Sequence, residues 1–125
     1  MSDIQARMQA LSEEYKKIQT ELDTSIQARQ KLEAQLQENK GVEKEFGKLK
    51  DDEAIYKLSG PILLKQEKVE ADSTVKGRIE FITKEIARLE KQISDGQDKL
   101  EKKKGEIIQV QSNAQAASQP QAAQA

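Results

Sequence analysis

The chain has 125 residues, 35% apolar and only 3% aromatic, and its 21 basic and 22 acidic side chains leave a formal net charge of −1. That composition excludes a large compact core and a concentrated basic face for a nucleic-acid backbone; it suits long helices with charged outer faces. Cys and His are absent, which excludes disulfides, thiolate metal sites and the commonest general base.

The first element is a helix predicted over residues 3–50. Ser2 with Gln5 matches a capping box, and Asp3 places a negative charge in the first turn. Ile4, Met8, Leu11, Tyr15, Ile18, Leu22, Ser25, Arg29, Leu32 and Leu36 follow an alternating four-three step, the spacing that turns one narrow stripe toward a single partner helix. Ser25 and Arg29 break the apolar run, and Arg29 reads as a tolerated imperfection more than as a register device. Beyond Leu36 the stripe is expected to continue through Val42, Phe46 and Leu49, shifted round the helix. Gly41 and Gly47 each cost about 1 kcal/mol relative to Ala, so the last turns are the softest. Asp51, Asp52 and Glu53 suit a helix C-terminus badly and are expected to leave it.

Residues 54–66 read as a β-hairpin. Ile55, Tyr56 and Leu58 precede Gly60 and Pro61, and Ile62, Leu63 and Leu64 follow. Three consecutive apolar residues give the second strand two faces that seek burial. A lone two-stranded hairpin is marginal in water, and its open edges are templates for another chain. Ile55, Tyr56, Leu58, Gly60, Pro61, Ile62, Leu63 and Leu64 are therefore candidate oligomer-interface residues, with Tyr56 a packing residue.

A second helix is predicted over residues 69–112. Val75, Ile79, Ile82, Ile86, Leu89, Ile93, Gly96, Leu100, Lys103, Ile107 and Val110 repeat the four-three step, broken only at Gly96 and Lys103. The expected fold class is mainly α, a long antiparallel two-helix coiled coil joined by a β-hairpin. About fifteen seam residues, each worth about 1.5–3 kcal/mol on burial, offset the ordering entropy. Residues 113–125 are rich in Gln and Ala and are expected to form a disordered tail, leaving 1–112 as the one folded domain.

Several features carry less than they suggest. Gly41 to Lys48 bears a partial likeness to a phosphate loop, but five residues separate its glycines and Leu49 replaces the required Ser or Thr. Asp51, Asp52 and Glu53 lack the further oxygen ligands of a cation loop. Lys102, Lys103 and Lys104 read as a solvated helix end. No apolar run approaches the roughly 20 residues of a membrane helix, and no signal-peptide pattern opens the chain. A soluble, cytoplasmic, non-enzymatic protein is expected, with no cofactor, no membrane and no nucleic-acid partner.

Tyr56-Lys57-Leu58 with Gly60-Pro61, then Leu64-Lys65-Gln66-Glu67, resembles the hairpin signature of β-class prefoldin subunits. Glu70-Ala71, Val75, Arg78-Ile79-Glu80-Phe81-Ile82 and Glu85-Ile86 extend the likeness into the second helix. Ser59, where an apolar residue is expected, is a mild departure. The resemblance covers residues 3–112. It implies a hexamer of two α-class and four β-class subunits whose hairpins assemble into a β-barrel platform. It further implies coiled-coil tips that hold unfolded or nascent proteins, actin and tubulin among them, for a cytosolic group II chaperonin, without nucleotide. On that implication Ile4, Met8, Leu11, Ile107, Ile108 and Val110 are the candidate client-binding residues. The competing reading is an oligomeric coiled-coil scaffold or tether.

Overall fold

The computed structural model describes residues 2–50 and 55–118. Two long helices flank a two-stranded antiparallel hairpin: α1 (Ser2–Lys48), β1 (Ile55–Ser59), β2 (Ile62–Gln66) and α2 (Lys68–Ser118). The expected helix at 3–50 ends two residues earlier. The one expected at 69–112 continues to Ser118, so residues 113–118 are helix where a disordered tail was expected. Ala and Gln are good helix formers, and the Gln109 Nε2 amide donates to Asn113 Oδ1 at 3.2 Å across the expected boundary. The calls on the Ser2 side-chain cap, on Asp51, Asp52 and Glu53, and on residues 119–125 lie outside the described residues.

By its contacts the chain divides into a hairpin unit, Ala28–Glu90, and a terminal unit made of Met1–Gln27 and Lys91–Ala125. In the hairpin unit, Leu36, Ile82 and Ile86 form a buried cluster on which Leu32 and Ile79 pack. Arg29 reaches across from α1 to Glu90 of α2, donating through Nε (3.1 Å) and Nη2 (2.8 Å) to the same carboxylate oxygen. That pairing corrects the reading of Arg29 as an imperfection. A charged seam residue met by a carboxylate on the facing helix sets the register. The close of α1 is also tied down: the Lys68 ammonium donates to the Leu49 carbonyl at 2.8 Å, a cation at a helix C-terminus. The Ala71 amide bonds the Glu67 carbonyl at 3.0 Å, and Glu70 puts a negative charge in the first turn of α2.

In the terminal unit the same helices meet through Leu22 beside Gly96 and through the Lys103–Glu14 ion pair. Lys103 also donates to Glu106 at 3.1 Å. It is therefore held between two carboxylates and is not part of a freely solvated basic cluster.

Every position of both predicted seams is buried or half-buried, from Ile4 to Leu36 on α1 and from Val75 to Val110 on α2. Past Leu36 the expectation fails. Val42 is exposed, while Asn39, Glu43 and Phe46 are half-buried. The four-three step thus persists in the backbone but runs through polar residues, because α1 keeps its register against α2 and leaves Val42 off the stripe. Among exposed i,i+4 pairs, Glu80–Lys84 closes at 3.2 Å as the spacing suggested. Glu13–Lys17, Asp95–Lys99 and Asp98–Lys102 do not close; such exposed pairs add only about 0.2–0.5 kcal/mol each.

The two glycines of the terminal part of α2 separate two effects. A Cβ at Gly105 meets nothing within 4 Å, whereas one at Gly96 would lie 3.2 Å from Leu22 Cδ1. Gly105→Ala is expected to stabilise the chain by about 0.5–1 kcal/mol in urea melts followed by circular dichroism, and Gly96→Ala by clearly less. The Lys103 ammonium titrates above its usual value, chiefly through its hydrogen bond to Glu14 and then that to Glu106. A raised folded-state pKa contributes stability that is whole below the unfolded value of 10.5 and is lost as pH rises through the folded one. Wild type should therefore melt above Lys103→Met at pH 8, and the gap should close beyond pH of about 11.

Candidate functional site

The hairpin turns through Gly60 and Pro61, with Gly60 at φ 59°. A two-residue hairpin loop of the II′ kind needs positive φ at its first position, which Gly adopts without strain, and Pro then fits the second. The register pairs Ile55 with Gln66, Tyr56 with Lys65, Lys57 with Leu64, Leu58 with Leu63 and Ser59 with Ile62. Because side chains alternate and paired residues share a face, Tyr56, Leu58 and Leu63 lie on one face with Lys65. Ile55, Ile62 and Leu64 lie on the other with Lys57, Ser59 and Gln66.

Both faces are therefore apolar, and both are bare. Leu58 is 70% exposed and Leu63 62% on the first; Ile62 is 60% and Leu64 52% on the second. Tyr56, Gly60 and Pro61 are exposed as well. Ile55 differs from its expected role: it is buried within this chain and anchors the root of the hairpin. Among the described residues each strand has one neighbour only, so the outer edge of each is open. The Ser59 departure is harmless here, since its small side chain sits at the loop, opposite Ile62.

The terminal unit holds the six expected client-binding residues. Ile108 is exposed, and Ile4, Met8 and Ile107 are half-buried. Leu11 and Val110 are not available. At 8% and 4% exposure they are part of the seam, where the four-three spacing itself had placed them. Ile108 is the off-seam neighbour of Ile107, which is why it faces outward.

Spacing arguments missed three exposed apolar side chains on the helices: Val42, Val69 and Phe81. The available signal was negative, since none falls on the four-three step that continues the buried stripe. Among the described residues no cluster of three or more acidic side chains could hold a metal, and no helix is long and apolar enough to cross a membrane. The shifted titrations are of Lys76, Arg88 and Lys103, each raised first by a hydrogen bond to a carboxylate, Asp72, Glu85 and Glu14 respectively. All three are structural ion pairs, and none faces a cleft that would suit acid–base chemistry.

The family model described as "Prefoldin subunit" matches residues 4–114. Prefoldin subunit 6 of Saccharomyces cerevisiae is 49% identical over 107 residues, covering 86% of this chain and 94% of the yeast one. Prefoldin subunit 6 of Homo sapiens is 42% identical over 114 residues, 91% of this chain and 88% of the human one. Among solved structures, the prefoldin beta subunit from Thermococcus strain KS-1 superposes with a TM-score of 0.75 at 28% identity, covering 91% of this chain and 94% of that one. Helix, bare two-faced hairpin and helix recur in the same order in a family of non-enzymatic chaperone subunits, and this chain belongs to that family, the prefoldin subunits.

Proposed function

We propose that this subunit enters a hexamer of two α-class and four β-class subunits through its hairpin, holds unfolded or nascent polypeptides on its terminal unit, and passes them to the cytosolic group II chaperonin. Actin and tubulin are the clients in this reading, the cytoplasm is its compartment, and no nucleotide is consumed. The observation that carries it is the exposure of Leu58 and Leu63 on one hairpin face and of Ile62 and Leu64 on the other. A hairpin bare on both faces and both edges is a poor monomer, and a barrel shared with sibling hairpins satisfies edges and one face at once.

Client capture is supported by Ile108 and by the half-buried Ile4, Met8 and Ile107, all gathered with the two chain ends in the terminal unit. Apolar side chains grip unfolded chains without regard to sequence, and Met adapts to many surfaces. Weak contacts suffice when several subunits hold one chain, since linkage raises the effective concentration. Leu11 and Val110 serve this surface from beneath by keeping the two helices together.

Two substitutions separate assembly from capture. Leu58→Asp with Leu63→Asp puts like charges directly opposite each other on one face, and size-exclusion chromatography of the reconstituted mixture should show loss of the hexamer with helix content retained. Ile4→Ser, Met8→Ser, Ile107→Ser and Ile108→Ser combined should leave the hexamer intact and weaken its hold on denatured actin at least about tenfold, or about 1.4 kcal/mol. An intact hexamer that still suppresses actin aggregation at wild-type strength would remove the terminal unit from the client site.

A further inference from the structure

Phe81 is 65% exposed although its neighbours Ile79 and Ile82 turn into the seam. It walls a groove whose other side is Leu32, Gln35 and Asn39 of α1. Gly77, one turn before Phe81, leaves a notch in the surface of α2: a Cβ placed there meets nothing within 4 Å. The single charged residue lining this groove is Arg78, which is exposed and has no ion pair among the described residues. A second groove, bounded by Tyr56 and Lys57 of the hairpin and by Val42 and Phe46 of α1, shares Thr74 and Arg78 with the first. Its charges are again only basic, Lys57 and Arg78. In a chain of balanced charge, an apolar strip of a single sign thus runs from the hairpin onto the helix pair, all within the hairpin unit.

We infer that this strip is a second contact between subunits, taking an amphipathic helix of a neighbouring subunit in the hexamer. That helix presents a large apolar side chain to the notch at Gly77 beside Phe81 and a carboxylate to Arg78. The inference rests on the proposed hairpin-mediated assembly. Continuity with the hairpin is what favours a fellow subunit over a captured client. The one-signed charge is what makes the partner acidic, since a basic helix would be repelled and a neutral one would leave Arg78 without a counter-charge. An aromatic and an Arg flanking a notch are the residue types that most often dominate an interface, and anchors one helical turn apart suit a helix laid in a groove. The contact would hold each helix pair at a set angle to its neighbour, a restraint that the hairpin turn alone does not provide.

The test uses the reconstituted hexamer without client, carrying a benzophenone side chain in place of Phe81. Irradiation should cross-link it to a helical segment of another subunit, with Asp or Glu within a turn of the attachment point. Phe81→Ser and Arg78→Glu should each raise the concentration at which the hexamer dissociates by about fivefold or more. Gly77→Leu guards against simple misfolding. Its Cβ has open space, and Leu for Gly favours the helix, so the chain should melt higher while the hexamer dissociates more readily. Cross-links that form only with added unfolded polypeptide, no cross-link at all, or a Gly77→Leu hexamer as tight as wild type would each overturn the inference. If the wild-type chain formed no hexamer with its partner subunits, the hairpin proposal would fall first; an intact hexamer without these cross-links overturns this contact alone.

Discussion

A β-hairpin of two five-residue strands has ten backbone groups to pair along each outer edge or leave to water, and in this chain neither of its faces offers a polar surface to hide behind. Leu58 and Leu63 oppose each other on one side while Ile62 and Leu64 stand on the other, and only Ile55, at the root, is covered by the chain itself. Burying one such side chain is worth about 1.5–3 kcal/mol, so the four bare ones represent a driving force comparable to the whole stability of a small domain. That force is unspent within one subunit. Assembly with other prefoldin subunits is the family's answer, and it explains why a hairpin that is unstable by every local rule is retained between two long helices.

The helices solve a different problem. A two-helix pair buries only one stripe on each partner, and among the described residues nine side chains are buried apolar ones, none of them fully enclosed. Such a seam gives affinity but specifies register weakly, because Leu and Ile accept many neighbours. The charged interruptions supply the missing specificity. Arg29 meets Glu90 in the hairpin unit, and Lys103 meets Glu14 in the terminal unit. In both cases the cation occupies a seam position and the carboxylate comes from the facing helix. These pairs are partly exposed, so their net contribution to stability is small. A slip of one heptad would leave each seam cation without its carboxylate, and that cost falls only on wrong registers.

The apolar side chains left outside the seam fall into distinct groups by chemistry. Those of the hairpin are large, adjacent and two-faced, which suits permanent burial. Ile108, with Ile4, Met8 and Ile107 half-covered in the same unit, is a sparse and adaptable surface. Phe81 and Val42 lie beside a lone basic residue and a glycine notch, which suits a shaped contact. An ATP-independent holding protein needs the first kind to be tight and the second to be weak, since a client held strongly at one point is not released. The division of the chain's exposed apolar surface follows that requirement.

Much of this was legible from spacing. The four-three step named every seam residue from Ile4 to Leu36 and from Val75 to Val110, because helix periodicity is set by the backbone and any stripe on it must recur at that interval. The hairpin and its turn were legible in Gly60-Pro61, since a tight reversal of this kind demands positive φ that Gly alone adopts readily. What spacing did not settle was which side chains near the stripe are covered. Leu11 and Val110 are buried while Ile108 is bare, and Val42 stands outside although it is as apolar as its neighbours. Nor did it reveal that Arg29 and Lys103 have carboxylate partners, as Glu90 and Glu14 lie some sixty to ninety residues away in the chain. Local pattern determines which face of a helix is apolar; only the meeting of two helices in a definite register decides which atoms that face covers and which charges find one another.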